Sequence, residues 1–137
     1  MDIILRGVSW ALYLLGNLWT LPNTLLGFLL TLVLVWGWPR FERGRRLWVC
    51  ATGRGLSRWV RRRGRTATTF GFVVIIWDVA LREDGPLLDH EAVHARQYAL
   101  LGPFFLPVYL VLAPFYGGGR RHPLERPAYR REDESRG

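Results

Sequence analysis

The chain opens on a long apolar run. No charged residue occurs between Arg6 and Arg40, and the stretch from Gly7 to Pro39 reads "GVSWALYLLGNLWTLPNTLLGFLLTLVLVWGWP". A bilayer-crossing helix needs about 20 apolar residues. The run is therefore long enough for one tilted or kinked crossing and short for two. "WTLPNT" divides it, and Pro22 fits the first turn of a second helix reaching about Trp36, with Thr20 as N-cap. The expectation is a single kinked transmembrane helix; a short helical hairpin that dips in and returns is the alternative. Trp10, Trp19, Trp36 and Trp38 suit a membrane–water boundary in either form. The length of the uncharged run disfavours a helix pair buried in a soluble core. Asp2, the single early arginine and the lack of a small-x-small site disfavour a cleaved signal peptide.

Beyond Pro39 the pattern changes to alternation. "RRLWVCAT" reads as a strand, "GRG" as a turn and "LSRWVRR" as a second strand. "RTATTFGFVVIIWDVAL" reads as a third, longer strand, interrupted at Gly71 by a bulge or a close backbone approach. Together they predict a small antiparallel sheet. "REDGP", Arg82 to Pro86, is a turn signal. A helix of about three turns then runs from Asp89, as N-cap, to Leu101, and Gly102-Pro103 stops it. The apolar segment Phe104–Tyr116, interrupted by Pro107 and Pro114, is either a second membrane-associated helix or a core helix. The polar end contains "HPLERPAY", a short helix with Pro123 in its first turn. The expected fold class is α+β, in four parts: a membrane segment over 1–39, a basic juxtamembrane segment with the first strands over 40–65, a catalytic unit over 66–131, and a disordered tail over 132–137.

Charge sharpens the membrane reading. The 137 residues include nineteen arginines, no lysine and a net charge of +8. Ten of the arginines (40, 43, 45, 46, 54, 58, 61, 62, 63 and 65) fall between Arg40 and Arg65 with one acid, Glu42. Such density directly after an apolar run marks the cytoplasmic side and attracts anionic lipid headgroups. A nucleic-acid partner is not expected, because no nucleic-acid fold motif accompanies the basic stretch. The lone cysteine, Cys50, cannot form an internal disulfide and, lying in a strand-like run, reads as a buried structural thiol.

The chemistry concentrates in "DHEAVHARQY", Asp89 to Tyr98. His90 and His94, four apart on a helix, direct both imidazoles to one side and can share a metal ion. Catalytic zinc takes three protein ligands and keeps one position for water. Glu91, beside the first histidine, reaches that water without ligating and is the candidate general base. A third ligand has few sources downstream, and Glu125 is the preferred one. His122, three residues before it, is an alternative ligand or a supporting residue. Arg96 and Gln97 are either a solvated helix face or polar groups that orient a ligand.

These features resemble the gluzincin branch of the zincin metallopeptidases. "HPLERPAY" is similar to the "NPxExxA" element of small bacterial membrane-associated proteins of this type, whose glutamate is the third zinc ligand. His122 stands where the asparagine would be, and Pro127 precedes Ala128. "HEAVHARQY", with Gln97 three after the second histidine, also matches. The resemblance spans about Thr66 to Arg131. It implies Zn2+ held by His90, His94 and Glu125, and a peptide or protein substrate paired with a strand before the helix: Thr69, Phe70, Gly71 and Phe72. It also implies an oxyanion stabiliser, with Tyr98, Tyr109, Tyr116, Arg126 and Tyr129 as candidates. The chain lacks the Asn-Pro…Leu-Asp-Gly element of intramembrane site-2-type proteases, which argues against cleavage within the bilayer.

The expected function is a zinc metallopeptidase anchored in the bacterial inner membrane with its site near the cytoplasmic face. The alternative is a non-catalytic membrane protein in which a structural or relic zinc site serves an interaction partner. Glu91 separates them, because a structural site needs the ligands and has no use for the base.

Overall fold

The structure, a computed structural model, describes residues 1–137. Six helices surround a four-stranded sheet. Their order is α1 (Asp2–Trp19), α2 (Leu21–Val33), β1 (Arg40–Glu42), β2 (Leu47–Ala51), α3 (Ser57–Arg62), β3 (Ala67–Phe70), β4 (Val73–Ile76), α4 (Gly85–Leu101), α5 (Phe105–Tyr116) and α6 (Arg126–Arg136).

The apolar "VVII" of β4 explains the layering. All four residues are fully buried, as expected for a strand covered on both faces. Val74 and Ile76 pack with Leu47, Phe72, Leu87, Leu88, Ala92 and Ala95, joining the sheet to α4. Ile75 packs oppositely with Val35, Cys50 and Trp77, against Leu30 of α2 and Val60 of α3. Helix α2 comes close to this face: a Cβ on Gly27 would lie 2.7 Å from Val73 Cβ.

The sheet is mixed, not the expected antiparallel meander. Its order is β1-β2-β4-β3, with β2 and β4 parallel. Two segments account for the difference. "LSRWVRR" is helical, as α3. Val60 packs against the cluster on the sheet's far side, and Leu56, just before the helix, lines the cleft beside α2; over six residues a period of 2 and one of 3.6 cannot be told apart. The expected single long strand folds back on itself. Phe70 pairs with Val73, leaving a two-residue turn of Gly71 and Phe72. Gly71 has φ +62°, and a side chain there would collide with Thr24 of α2. Both its turn conformation and the helix's approach require glycine.

The N-terminal run is broken at Thr20 into helices of 18 and 13 residues. Thr20 occupies the expected N-cap position, but its side chain makes no cap bond. Instead Asn23 Nδ2 donates to Thr20 Oγ1 (3.1 Å) and to the Gly102 carbonyl (3.0 Å), tying the break to the end of α4. The break sends α1 along α4, where Gly16 meets Ala99, and α2 along the sheet. Gly16 is the one buried residue of α1; its leucines, isoleucines and tryptophans are bare over a broad face turned away from the core. By length and composition, the helical run that could cross a membrane is Gly85–Tyr116, which bends at Gly102 (φ +56°).

Helix α4 begins earlier than expected. Asp84, not Asp89, is the N-cap; its Oδ1 accepts from Leu87 N–H at 2.9 Å, and Pro86 occupies the first turn. "REDGP" is thus both turn and cap. The 132–137 tail is also helical rather than disordered: α6 continues to Arg136 and lies along α4.

Candidate metal centre

Helix α4 carries His90, Glu91 and His94 in its second and third turns, all three buried. Glu125 reaches them from the residue just before α6. Its Oε2 is 3.0 Å from His94 Nε2 and 3.3 Å from His90 Nε2. The three ligand atoms lie within 4.8 Å of one another. Tetrahedral zinc with bonds of about 2.0–2.1 Å places neighbouring ligands about 3.3 Å apart. The spacing thus fits one ion with little movement, and the two-imidazole, one-carboxylate donor set suits zinc.

The outward-facing atoms of His94 and Glu125 each have a hydrogen-bond partner. His94 Nδ1–H donates to Gln97 Oε1 (2.9 Å), while Gln97 Nε2 donates to the Leu124 carbonyl (2.8 Å) beside Glu125. Gln97 therefore links the second histidine to the segment that brings the third ligand. His90 Nδ1 lies 2.9 Å from Glu132 Oε2, although off the direction of an aligned hydrogen bond. The Tyr129 ring meets the His90 ring edge-on at 4.5 Å. Tyr109 OH donates to Glu125 Oε1 at 2.8 Å.

Burial penalises charge on both partners, yet their mutual contact prevails. Burial pushes the Glu125 carboxyl upward, but hydrogen bonds from His90 and His94 hold it well below the usual carboxylate range. Burial pushes His94 downward, but Glu125 and Glu91 raise it above its ordinary value. Without metal, Glu125 thus favours a proton on His94 Nε2, and a metal ion bound there would displace it.

Glu91 is held from the sheet: Thr69 Oγ1 donates to its Oε2 at 2.5 Å. Both residues line a cleft of about 410 Å3 that also contains His94, Glu125 and the edge strand β3. Of the expected substrate strand, Thr69 and Phe70 lie on that edge. Gly71 forms the turn and Phe72 is buried in the core, because the chain reverses after Phe70.

Other expected roles change as well. His122 is not a ligand. Its Nε2–H donates to the Tyr109 carbonyl (2.9 Å), its Nδ1 accepts from Leu124 N–H (3.1 Å), and its ring stacks on Tyr109 at 4.0 Å. With both nitrogens engaged, it holds the segment preceding Glu125. Pro127, rather than Pro123, occupies the first turn of the helix that follows Glu125. Tyr98 is fully buried and spends its hydroxyl on the Thr69 carbonyl (3.1 Å). Arg126 is exposed over Tyr116, away from the triad. Asp89, freed from capping, accepts from Arg45 (2.7 Å) and Ser135 (2.6 Å). Those bonds outweigh its burial and lower its pKa.

Glu132 is a contact that the sequence reading placed in the tail. Glu125, Tyr129 and Glu132 are spaced i, i+4, i+7, the signature of one helix face. That spacing is the signal that could have found it.

No family model matches the chain, and neither a curated protein nor a solved structure matches it.

Proposed function

We propose that the protein is a membrane-anchored zinc metallopeptidase. The observation that carries this reading is Glu91. It is buried in the cleft beside two histidines and a glutamate at ligand spacing, and it belongs to no ligand set. A structural site would have no use for it.

His90, His94 and Glu125 would hold the ion, which when bound supplies a Lewis acid that makes water acidic near neutral pH and polarises a carbonyl. The chain's own groups do the rest. Glu91 takes the proton of the attacking water and returns it to the departing amine. Thr69 holds one carboxylate oxygen of Glu91, leaving the other for that transfer. Gln97 fixes the His94 imidazole with its Nε2 toward the ion, and Glu132 lies beside the His90 ring. Tyr109, in the cleft wall, donates its hydroxyl to Glu125 Oε1 and so holds the third ligand's carboxylate in place.

The bare surface of α1 supports membrane anchoring, because its broad exposed face of leucines, isoleucines and tryptophans needs an apolar surrounding. The apolar outer faces of α2 and α5 extend it. The arginines of 40–65 would meet anionic headgroups, with the site on the cytoplasmic side of a bacterial inner membrane.

The test is Glu91→Gln. Glutamine keeps size and hydrogen bonding but accepts no proton at neutral pH. The variant should retain one zinc per chain by metal analysis and lose peptide hydrolysis by at least about a hundredfold. Hydrolysis at the wild-type rate in this variant would refute the reading.

A further inference from the structure

Hydrolysis of a peptide bond asks only for the polar floor of the cleft. The walls carry additional information. Leu30 comes from α2 and Leu34 from the residue just after it, Val60 from α3, and Phe105, Leu106 and Leu110 from α5. Outside the site residues, Arg65 is the one charged side chain that lines it. The volume, about 410 Å3, lies within the range of sites that enclose small ligands.

Two facts identify the occupant. First, β3 is the outer strand of the sheet, and its residues Ala67 to Phe70 line the cleft. A strand edge offers backbone donors and acceptors, which another extended backbone satisfies and an acyl chain does not. Secondly, the two helices that wall the cleft carry bare apolar faces of their own. Leu25, Leu29 and Leu32 of α2 and Val111 and Phe115 of α5 are all exposed. An apolar surface therefore continues from the outside of these helices to the cleft.

We infer that the cleft selects an extended polypeptide carrying large apolar side chains, of the kind that leaves the membrane at the end of a transmembrane segment. The inference rests on the peptidase reading for the orientation of the bond to be cut, but the selection itself is a matter of binding. The apolar walls discriminate because a charged side chain would lose its water there with no partner, whereas a leucine or phenylalanine gains from leaving water.

The test uses zinc-loaded Glu91→Gln protein in lipid nanodiscs, with empty nanodiscs as the partition control. Labelled octapeptides share one backbone and differ at two central positions: Leu-Phe, Glu-Glu or Arg-Arg. Fluorescence anisotropy should show the Leu-Phe peptide binding about 10- to 100-fold more tightly than either charged one. Leu106→Asn should weaken the Leu-Phe peptide about tenfold while zinc stoichiometry stays at one, which confirms the fold. Leu30→Asn tests the opposite wall in the same way. Charged peptides binding within twofold of Leu-Phe would overturn the inference. So would a lauroyl amide displacing the Leu-Phe peptide at lower concentration than the unlabelled peptide does, since the occupant would then be an acyl chain. Because binding is read without hydrolysis, the two claims fail separately. Absent hydrolysis with selective binding removes the peptidase reading alone, and hydrolysis with indifferent binding removes this inference alone.

Discussion

Gln97 is the residue whose removal should reveal how the candidate metal site is assembled. It is half-buried on α4, one turn beyond His94. It accepts from His94 Nδ1 at 2.9 Å and donates to the Leu124 carbonyl at 2.8 Å. Gln97→Leu keeps the approximate volume and deletes both bonds. The imidazole then loses its rotational restraint, and the segment before Glu125 loses a tie to α4. Losing a group that orients a ligand typically weakens metal binding about 10- to 100-fold, which is about 1.4–2.8 kcal/mol. Two unmade bonds at a half-buried position should also cost the metal-free protein about 1–3 kcal/mol. Zinc competition against a chromophoric chelator measures the first quantity, and thermal unfolding in excess chelator the second. Gln97→Glu separates the two bonds. It keeps an acceptor for His94 but sets a carboxylate against the Leu124 carbonyl, so stability should fall more than affinity. Arg96→Ala, next door and exposed, should change neither. Zinc affinity within twofold of wild type in Gln97→Leu would refute the argument that this side chain organises the site.

Other expectations follow from the same geometry. Deleting 132–137 removes the Glu132 contact to His90, the Ser135 bond to Asp89 and the Arg136 contact to Asp84; zinc affinity by chelator competition should fall about tenfold, and unchanged affinity would mean α6 is dispensable. Gly27→Ala places a Cβ 2.7 Å from that of Val73 in the buried central strand, so unfolding should show a loss of about 1–3 kcal/mol; a stable variant would mean α2 is not held there. In metal-free protein, the lowered Glu125 contributes stability above its ordinary value of 4.5, lost as pH falls through its folded value. The raised His94 contributes below its ordinary 6.5, lost as pH rises through its folded value. Zinc needs His94 without its Nε2 proton, so zinc affinity should rise with pH until that raised value is passed. An affinity flat between pH 6 and 8, by the same competition assay, would contradict the proton displacement.

Much of the candidate metal site was written locally. Residues four apart on a helix share a side by backbone geometry alone, so His90, His94 and the intervening Glu91 could be read without knowing the fold. The stop at Gly102 and the buried Cys50 were legible for equally local reasons. Glu125 was less secure: the sequence offered it as a glutamate at a workable distance, and α6 packing on α4 brings its Oε2 to 3.0 Å from His94.

What tertiary structure decided were choices between local patterns of nearly equal energy. Six residues of "SRWVRR" satisfy either a strand or a helix, and packing of Val60 against the sheet's far side selects the helix. The fold-back at Gly71 depends on Thr24, 47 residues earlier, leaving room for no side chain. It is this reversal that makes β3 an edge, places Thr69 on Glu91 and buries Phe72. The polar "EDES" segment looks disordered because nothing in it is apolar. Its ordering comes from His90, Asp84 and Asp89, partners about 45 residues away that only the folded chain brings near. The sequence by itself determined which side chains could do chemistry. The long-range contacts determined which atoms they face, because a pattern along the chain encodes direction from the local backbone and carries no address for a partner across the fold.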